Sequence, residues 1–230
     1  MTQEIPLLTL VALAILGSPL ASALAQNTPV TATNSVTAAA PKPKPVPLVP
    51  PTLANYTGAP FGGKAQTIPG RIELENYDEG GHGVAYFDRT PEVNHGAGYR
   101  LGEGVDIKGM VLPPGKKPWF KSNDGTPTVG WFFVGEWMHY SVDVTPGAYD
   151  LHVRYTTPIP DKKIEVYLDG VLVASVPVPV TDPHYAVWAT ATFKNVKVDG
   201  SGRHLLRVQE AGKDVDEVDV NWIEFGNANP

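Results

Sequence analysis

The chain has 230 residues, a net charge of −6 and no cysteine. The mildly acidic balance excludes a nucleic-acid binder driven by a basic surface. Without cysteine, disulfides, thiolate metal sites and Cys nucleophiles are excluded, so stability must come from a packed core, helped by any bound ion.

In chain order, Met1 to Ala25 reads as an export signal. Leu7 to Leu16 is a short apolar run, and Ala23-Leu24-Ala25 before Gln26 has the small-x-small form of a cleavage site. The run is shorter than the ~20 residues of a membrane helix. Glu4 and the lack of Lys or Arg in the leading residues count against the reading, and a membrane anchor is its rival. The expectation is an exported bacterial protein, secreted or periplasmic, with no membrane association once the signal is removed. Residues 26–66 are rich in Pro, Ala and Thr, with Pro41-Lys42-Pro43-Lys44-Pro45-Val46-Pro47 at the centre. That composition predicts an extended polyproline spacer.

Residues 67–226 change character and predict one all-β domain. Ile68 to Tyr77 alternates apolar with polar residues, which is a strand period. It places Glu73 and Glu75 on one side and Ile72 and Leu74 on the other. Ala148 to Tyr155 is a further strand after the Pro146-Gly147 turn. Lys163 to Leu168 and Val171 to Val176 flank Asp169-Gly170, which supplies the positive φ angles of a type I′ hairpin turn. His204 to Val208 follows Gly200-Ser201-Gly202. The last run, Val218 to Phe225, carries Asp219 and Asn221. Many short strands between turn signals, with no capped helical period, predict a β-sandwich.

Signatures of catalysis are missing: no Gly-x-Ser-x-Gly, no His-Glu-x-x-His and no phosphate loop. The Gly96-Ala97-Gly98 loop has no following helix. Paired carboxylates about 5–10 Å apart across a cleft can hydrolyse glycosides. Glu73 and Glu75 are neighbours on one strand and cannot flank a bond from opposite sides, so a cation site fits them better. Aromatic residues in polar, loop-adjacent contexts are the other feature. Flat rings can cover the apolar C–H faces of a sugar while carboxylates or amides bond its hydroxyls. Tyr185, beside a turn, reads as exposed. Trp188 and Trp222, inside alternating runs, read as core, and Trp131 is balanced between the two.

Ile68 to Asp88, Gly98-Tyr99-Arg100, Gly104 to Ile107, Val129-Gly130-Trp131, Gly135-Glu136-Trp137 and Val220 to Phe225 together resemble family 6 carbohydrate-binding modules, in order and across almost the whole domain. The resemblance implies a β-sandwich jelly roll, non-catalytic glycan binding and a structural calcium. It further implies that Trp131 and Tyr185 clamp a sugar at the loop edge. Asp219 stands where the family carries a hydroxyl-binding Asn, and Asp88 is a weaker polar candidate. Asp only accepts hydrogen bonds when ionised, which argues against acidic polysaccharides. The calcium ligands it implies are Glu73, Glu75, the Arg100 carbonyl and Asn221; oxygen-only ligands suit that ion. Trp137 matches a second binding surface of some members, with a buried sheet-face role as its alternative. Met110 to Thr128, containing Trp119, has no counterpart in the family pattern.

The expectation is a monomeric, non-enzymatic binder of a polysaccharide or oligosaccharide. Its rivals are a glycoside hydrolase or polysaccharide lyase on a jelly-roll scaffold, and a surface adhesion protein.

Overall fold

The computed structural model describes residues 51–227, except 93, 95–98, 109–126 and 214–215. The export signal, the polyproline run, the Gly96–Gly98 loop and nearly all of the Met110 to Thr128 segment lie outside the described residues.

Twelve strands are present among the described residues: β1 (Gln66–Ile68), β2 (Gly70–Glu73), β3 (Tyr86–Phe87), β4 (Ile107–Lys108), β5 (Thr128–Phe133), β6 (Trp137–Val144), β7 (Gly147–Thr156), β8 (Lys162–Leu168), β9 (Val171–Val178), β10 (Ala189–Val198), β11 (Gly202–Glu210) and β12 (Glu217–Asn227). They form two six-stranded sheets. One runs β1-β6-β11-β8-β9, with β3 also on β6; the other runs β10-β7-β12-β5-β4, with β2 also on β12. The only helical elements among the described residues are three-residue 3-10 turns.

Alternation explains the layers. Tyr140 and Val142 of β6, Ile164 and Val166 of β8 and Leu206 and Val208 of β11 are buried from one sheet. Ile72 of β2, Leu151 and Val153 of β7 and Ile223 and Phe225 of β12 are buried from the other. All belong to one core cluster. Fully burying an aliphatic side chain of this size contributes about 1.5–3 kcal/mol. The hairpin between β8 and β9 turns on Asp169 (φ 46°) and Gly170 (φ 83°), as the Asp-Gly pair requires.

The structure differs from the sequence expectation in three places. Residues 52–65, read as spacer, carry two 3-10 turns. Tyr56 meets His139 edge-on at 5.4 Å, and Phe61 lies under the Arg100 guanidinium at 4.8 Å. Packing, absent from a composition argument, fixes this segment. The strand expected through Tyr77 ends at Glu73 and passes into a 3-10 turn over Leu74–Asn76. Leu74 and Glu75 are both buried there, so the alternation of Ile72 and Leu74 survives while that of the acids does not. Trp188 and Trp222, expected in the core, are only partly buried. Trp222 faces outward under the Arg71 guanidinium, 3.9 Å from its ring centroid.

Candidate functional site

Two β-bulges determine where the candidate side chains sit. Between β12 and β5 the register advances two residues from Val218 to Val220 but three from Phe132 to Val129. The extra residue lies in Gly130-Trp131, and Trp131 takes a left-handed φ of 47°. A bulge re-aims a side chain away from its regular position. Between β12 and β7 the register advances two residues from Val220 to Trp222 but one from Tyr155 to Arg154. There the extra residue is Asn221, which is buried.

Trp131 is partly exposed, and its backbone N–H donates to Asp219 Oδ1 at 3.3 Å. Tyr185 arrives from the loop between β9 and β10, also partly exposed and also left-handed (φ 54°). That loop is fastened at its entry. Thr181 N–H and its hydroxyl both donate to the Thr157 carbonyl. The Asp182 carboxylate accepts from the backbone N–H groups of His184, Ala186 and Val187, closing an Asx-type turn around Tyr185. Left-handed backbone at a non-glycine residue costs free energy and persists where surrounding structure imposes it. Both aromatic residues bear that cost.

The two rings converge on one ammonium. Lys108 Nζ lies 3.8 Å from the Trp131 ring centroid and 5.2 Å from that of Tyr185. The centroids are therefore no farther apart than the sum of those distances. The same ammonium donates to both oxygens of Asp219, at 2.7 and 2.9 Å. The pair is almost fully buried, with side-chain exposures of 4% for Lys108 and 3% for Asp219. Burial pushes the Asp219 carboxyl up, while Lys108 and the Trp131 N–H pull against it. Burial also raises the Tyr185 phenol, helped by the Glu217 and Asp219 carboxylates. Trp131, Tyr185 and Asp219, the three residues expected to bind sugar, thus meet around a lysine that the sequence reading missed. Asp219 is engaged by Lys108, and its oxygens are not simply open to a hydroxyl. Asp88 lies elsewhere, buried with Thr90 N–H and its hydroxyl as donors.

The expected cation ligands fall on adjoining elements. Glu73 pairs across to Trp222, next to the bulged Asn221. Glu75 is 4% exposed, and its Oε2 has no hydrogen-bond partner. Burial raises its carboxyl to about 8, with Glu73 adding to the rise. Tyr99, beside Arg100, is raised by burial and by Glu75. The Arg100 carbonyl accepts from Glu103 N–H and Asn94 Nδ2. A buried carboxylate oxygen with no donor, next to a second carboxylate, fits a hard cation. No cluster of three His, Cys, Asp or Glu suited to a metal occurs among the described residues. A set of two carboxylates, one carbonyl and one amide is a different kind of set.

Trp137 is 2% exposed. Its ring is covered by Phe87 (centroids 6.3 Å apart, stacked), His139 (4.4 Å) and the Arg207 guanidinium (4.0 Å). It stands as a buried sheet-face residue.

Three solved structures share this architecture. A family 6 carbohydrate-binding module from Clostridium cellulolyticum, in complex with xylose, is 19% identical; the match covers 70% of this chain and 100% of that one, with a TM-score of 0.50. A family 6 module from Clostridium stercorarium, in complex with cellobiose, is 18% identical over 72% of this chain and 99% of that one, with a TM-score of 0.50. A β-1,3-glucan-binding module of family 6 from Bacillus halodurans is 22% identical over 71% and 99%, again with a TM-score of 0.50. The domain has the fold of a family 6 carbohydrate-binding module. A family profile for carbohydrate binding module (family 35) also matches, over residues 121–225. No curated protein matches the chain. Within this fold, β5 and the β9–β10 loop bring Trp131 and Tyr185 to Lys108 of β4, and β2 pairs Glu73 with Trp222, one residue from Asn221.

Proposed function

We propose that the domain binds a polysaccharide or oligosaccharide without chemically altering it. The sugar is held by the partly exposed rings of Trp131 and Tyr185, with the Lys108–Asp219 pair at their base. The observation that carries this reading is the convergence of two imposed, left-handed aromatic residues on one point. A pyranose offers apolar faces to such rings at about 4 Å and hydroxyls to the polar groups beside them. The similar modules in complex with xylose and cellobiose, and the β-1,3-glucan binder, support a glycan as the ligand class. Among the described residues, the neighbouring buried carboxylates Asp88 and Glu136 make a poor acid–base pair. Asp88 and Glu136 are each 4% exposed or less and occupied by backbone donors.

Calcium belongs to the same reading. Glu73, Glu75, the Arg100 carbonyl and Asn221 would hold it, and its charge would offset two buried carboxylates. The ion is structural; it takes no part in sugar contact. The protein acts as a monomer outside the cytoplasm, secreted or periplasmic, where such glycans are met.

The buried area is small, so affinity is expected on the order of 10–100 µM or weaker. The test is calorimetric titration with xylo-, cello- and laminari-oligosaccharides, comparing the parent with Trp131→Ala and Tyr185→Ala. Each variant is expected to lose binding by about tenfold or more. Undiminished affinity in Trp131→Ala would remove the ring pair from the account. Product released from any of these glycans would restore the hydrolase reading.

A further inference from the structure

The two rings hold an ammonium of the protein's own. Lys108 Nζ is within cation–π distance of both Trp131 and Tyr185 and within hydrogen-bond distance of both Asp219 oxygens. Two aromatic faces and a carboxylate are the ingredients of a cage for a ligand ammonium. Glu217 adds a second carboxylate: it faces the Tyr185 hydroxyl and is itself within the influence of Lys108. Such a cage, left without its lysine, would attract a positively charged sugar. With the lysine in place, the Asp219 charge is matched and the cation position is taken.

The lysine is positioned by its neighbours. Its stem crosses Gly130 so closely that a Cβ there would fall 2.2 Å from Lys108 Cε and 2.3 Å from Cδ. The bulge that turns Trp131 outward begins at that glycine. Ring orientation and lysine placement are thus one local arrangement.

We propose that Lys108 is the specificity-determining residue of the ring pair: its ammonium fills the cation position, so the site accepts neutral sugars and rejects amino sugars. The inference rests on the glycan-binding reading above. Asp219 is already matched by Lys108, and Glu217 is engaged by the Tyr185 hydroxyl, so a protonated amine must shed its water at the rings without gaining a partner. A carboxylated sugar meets Glu217 and is disfavoured by like-charge repulsion.

The test compares three probes on one β-1,4 backbone: a cello-oligosaccharide, its fully N-acetylated amino-sugar counterpart, and the de-acetylated counterpart at a pH where its amines are protonated. The parent is expected to bind the de-acetylated probe at least about tenfold more weakly than the neutral ones. Lys108→Met leaves Asp219 in the cage and is expected to gain about tenfold or more for the ammonium probe. Because that variant buries a lone carboxylate and can fail to fold, Lys108→Met/Asp219→Asn is measured beside it. The double variant has neither charge and is expected to lose the rejection, with a smaller gain. An unchanged preference in both variants overturns the proposal, as does a parent that binds the ammonium probe as tightly as the neutral ones. Failure of the ring pair itself reads out separately, as full affinity in Trp131→Ala. If the parent binds none of the neutral probes, the gain on the ammonium probe still decides the role of Lys108.

Discussion

The Lys108 stem lies across the α-carbon of Gly130, where a Cβ would meet Lys108 Cε at 2.2 Å. This contact couples β4 to the bulge in β5 and fixes the ammonium under the Trp131 ring. Gly130→Ala must therefore displace either the lysine or the strand. Overpacking of this kind costs about 1–3 kcal/mol. The expected outcome is a lower melting temperature together with weaker glycan binding, since Trp131 is the next residue. An unchanged melting temperature would show that the stem moves aside freely, and that the contact does not hold the site.

Calcium should stabilise the fold through the acidic pair. Glu75 Oε2 is buried without a donor beside Glu73. An ion that binds only the folded state adds about 2.7 kcal/mol at one hundred times its Kd. For a domain of this size that raises Tm by roughly 5–10 °C. Glu75→Gln should remove most of the response, and the metal-free variant should melt above the metal-free parent. Equal melting temperatures in chelator and in excess calcium would contradict a cation at this place.

The relation between sequence and structure divides along physical lines. The β8–β9 hairpin was legible because Asp169-Gly170 carries its own backbone requirement. The strands were legible because burial follows a period of two. Trp131, Tyr185 and Asp219 came from short motifs that the fold brings together. The bulge at Asn221 was not legible because Trp222, apolar itself, continues the alternation of Val218 and Val220 and masks the shift to Ile223 and Phe225. The bulge at Trp131 was hidden because Phe132 and Phe133 are apolar on both sides of the strand. Lys108 was not legible either: its partner Asp219 is 111 residues away, and a single lysine after an apolar residue carries no periodic signal. The 3-10 turn at Glu75 was hidden because Ile72 and Leu74 are buried in either geometry.

Stability should depend on pH through Glu136. This residue is 2% exposed, and its carboxylate accepts from the backbone N–H groups of Arg89 and Phe133. Burial, with Asp88 and Asp106 nearby, raises its carboxyl from 4.5 to about 8. A raised carboxyl binds its proton more tightly in the folded state. Its contribution is therefore full below about 4.5 and is lost as the pH climbs through about 8. Melting curves from pH 4.5 to 9 should show the parent losing stability relative to Glu136→Gln. A constant difference between the two across that range would mean that Glu136 does not titrate in the window.

Arg207 is the other buried charge whose energetics can be tested. It is 1% exposed, and its Nε and Nη2 have no hydrogen-bond partner. The guanidinium lies 4.0 Å from the Trp137 centroid. Burial pulls its pKa down to about 9, and the Tyr167 phenol pulls against that shift. Stacking on an indole returns about 2 kcal/mol when desolvated, against a cost of several kcal/mol for burying an ion. Arg207→Met keeps the volume and the contact with the ring, since a thioether also packs well on aromatics. The charge penalty disappears. The expected result is an equal or higher melting temperature, by as much as about 1–4 kcal/mol of stability. If instead the variant loses about 3–5 kcal/mol, the guanidinium has an anionic partner in solution, and its loss leaves that partner stranded.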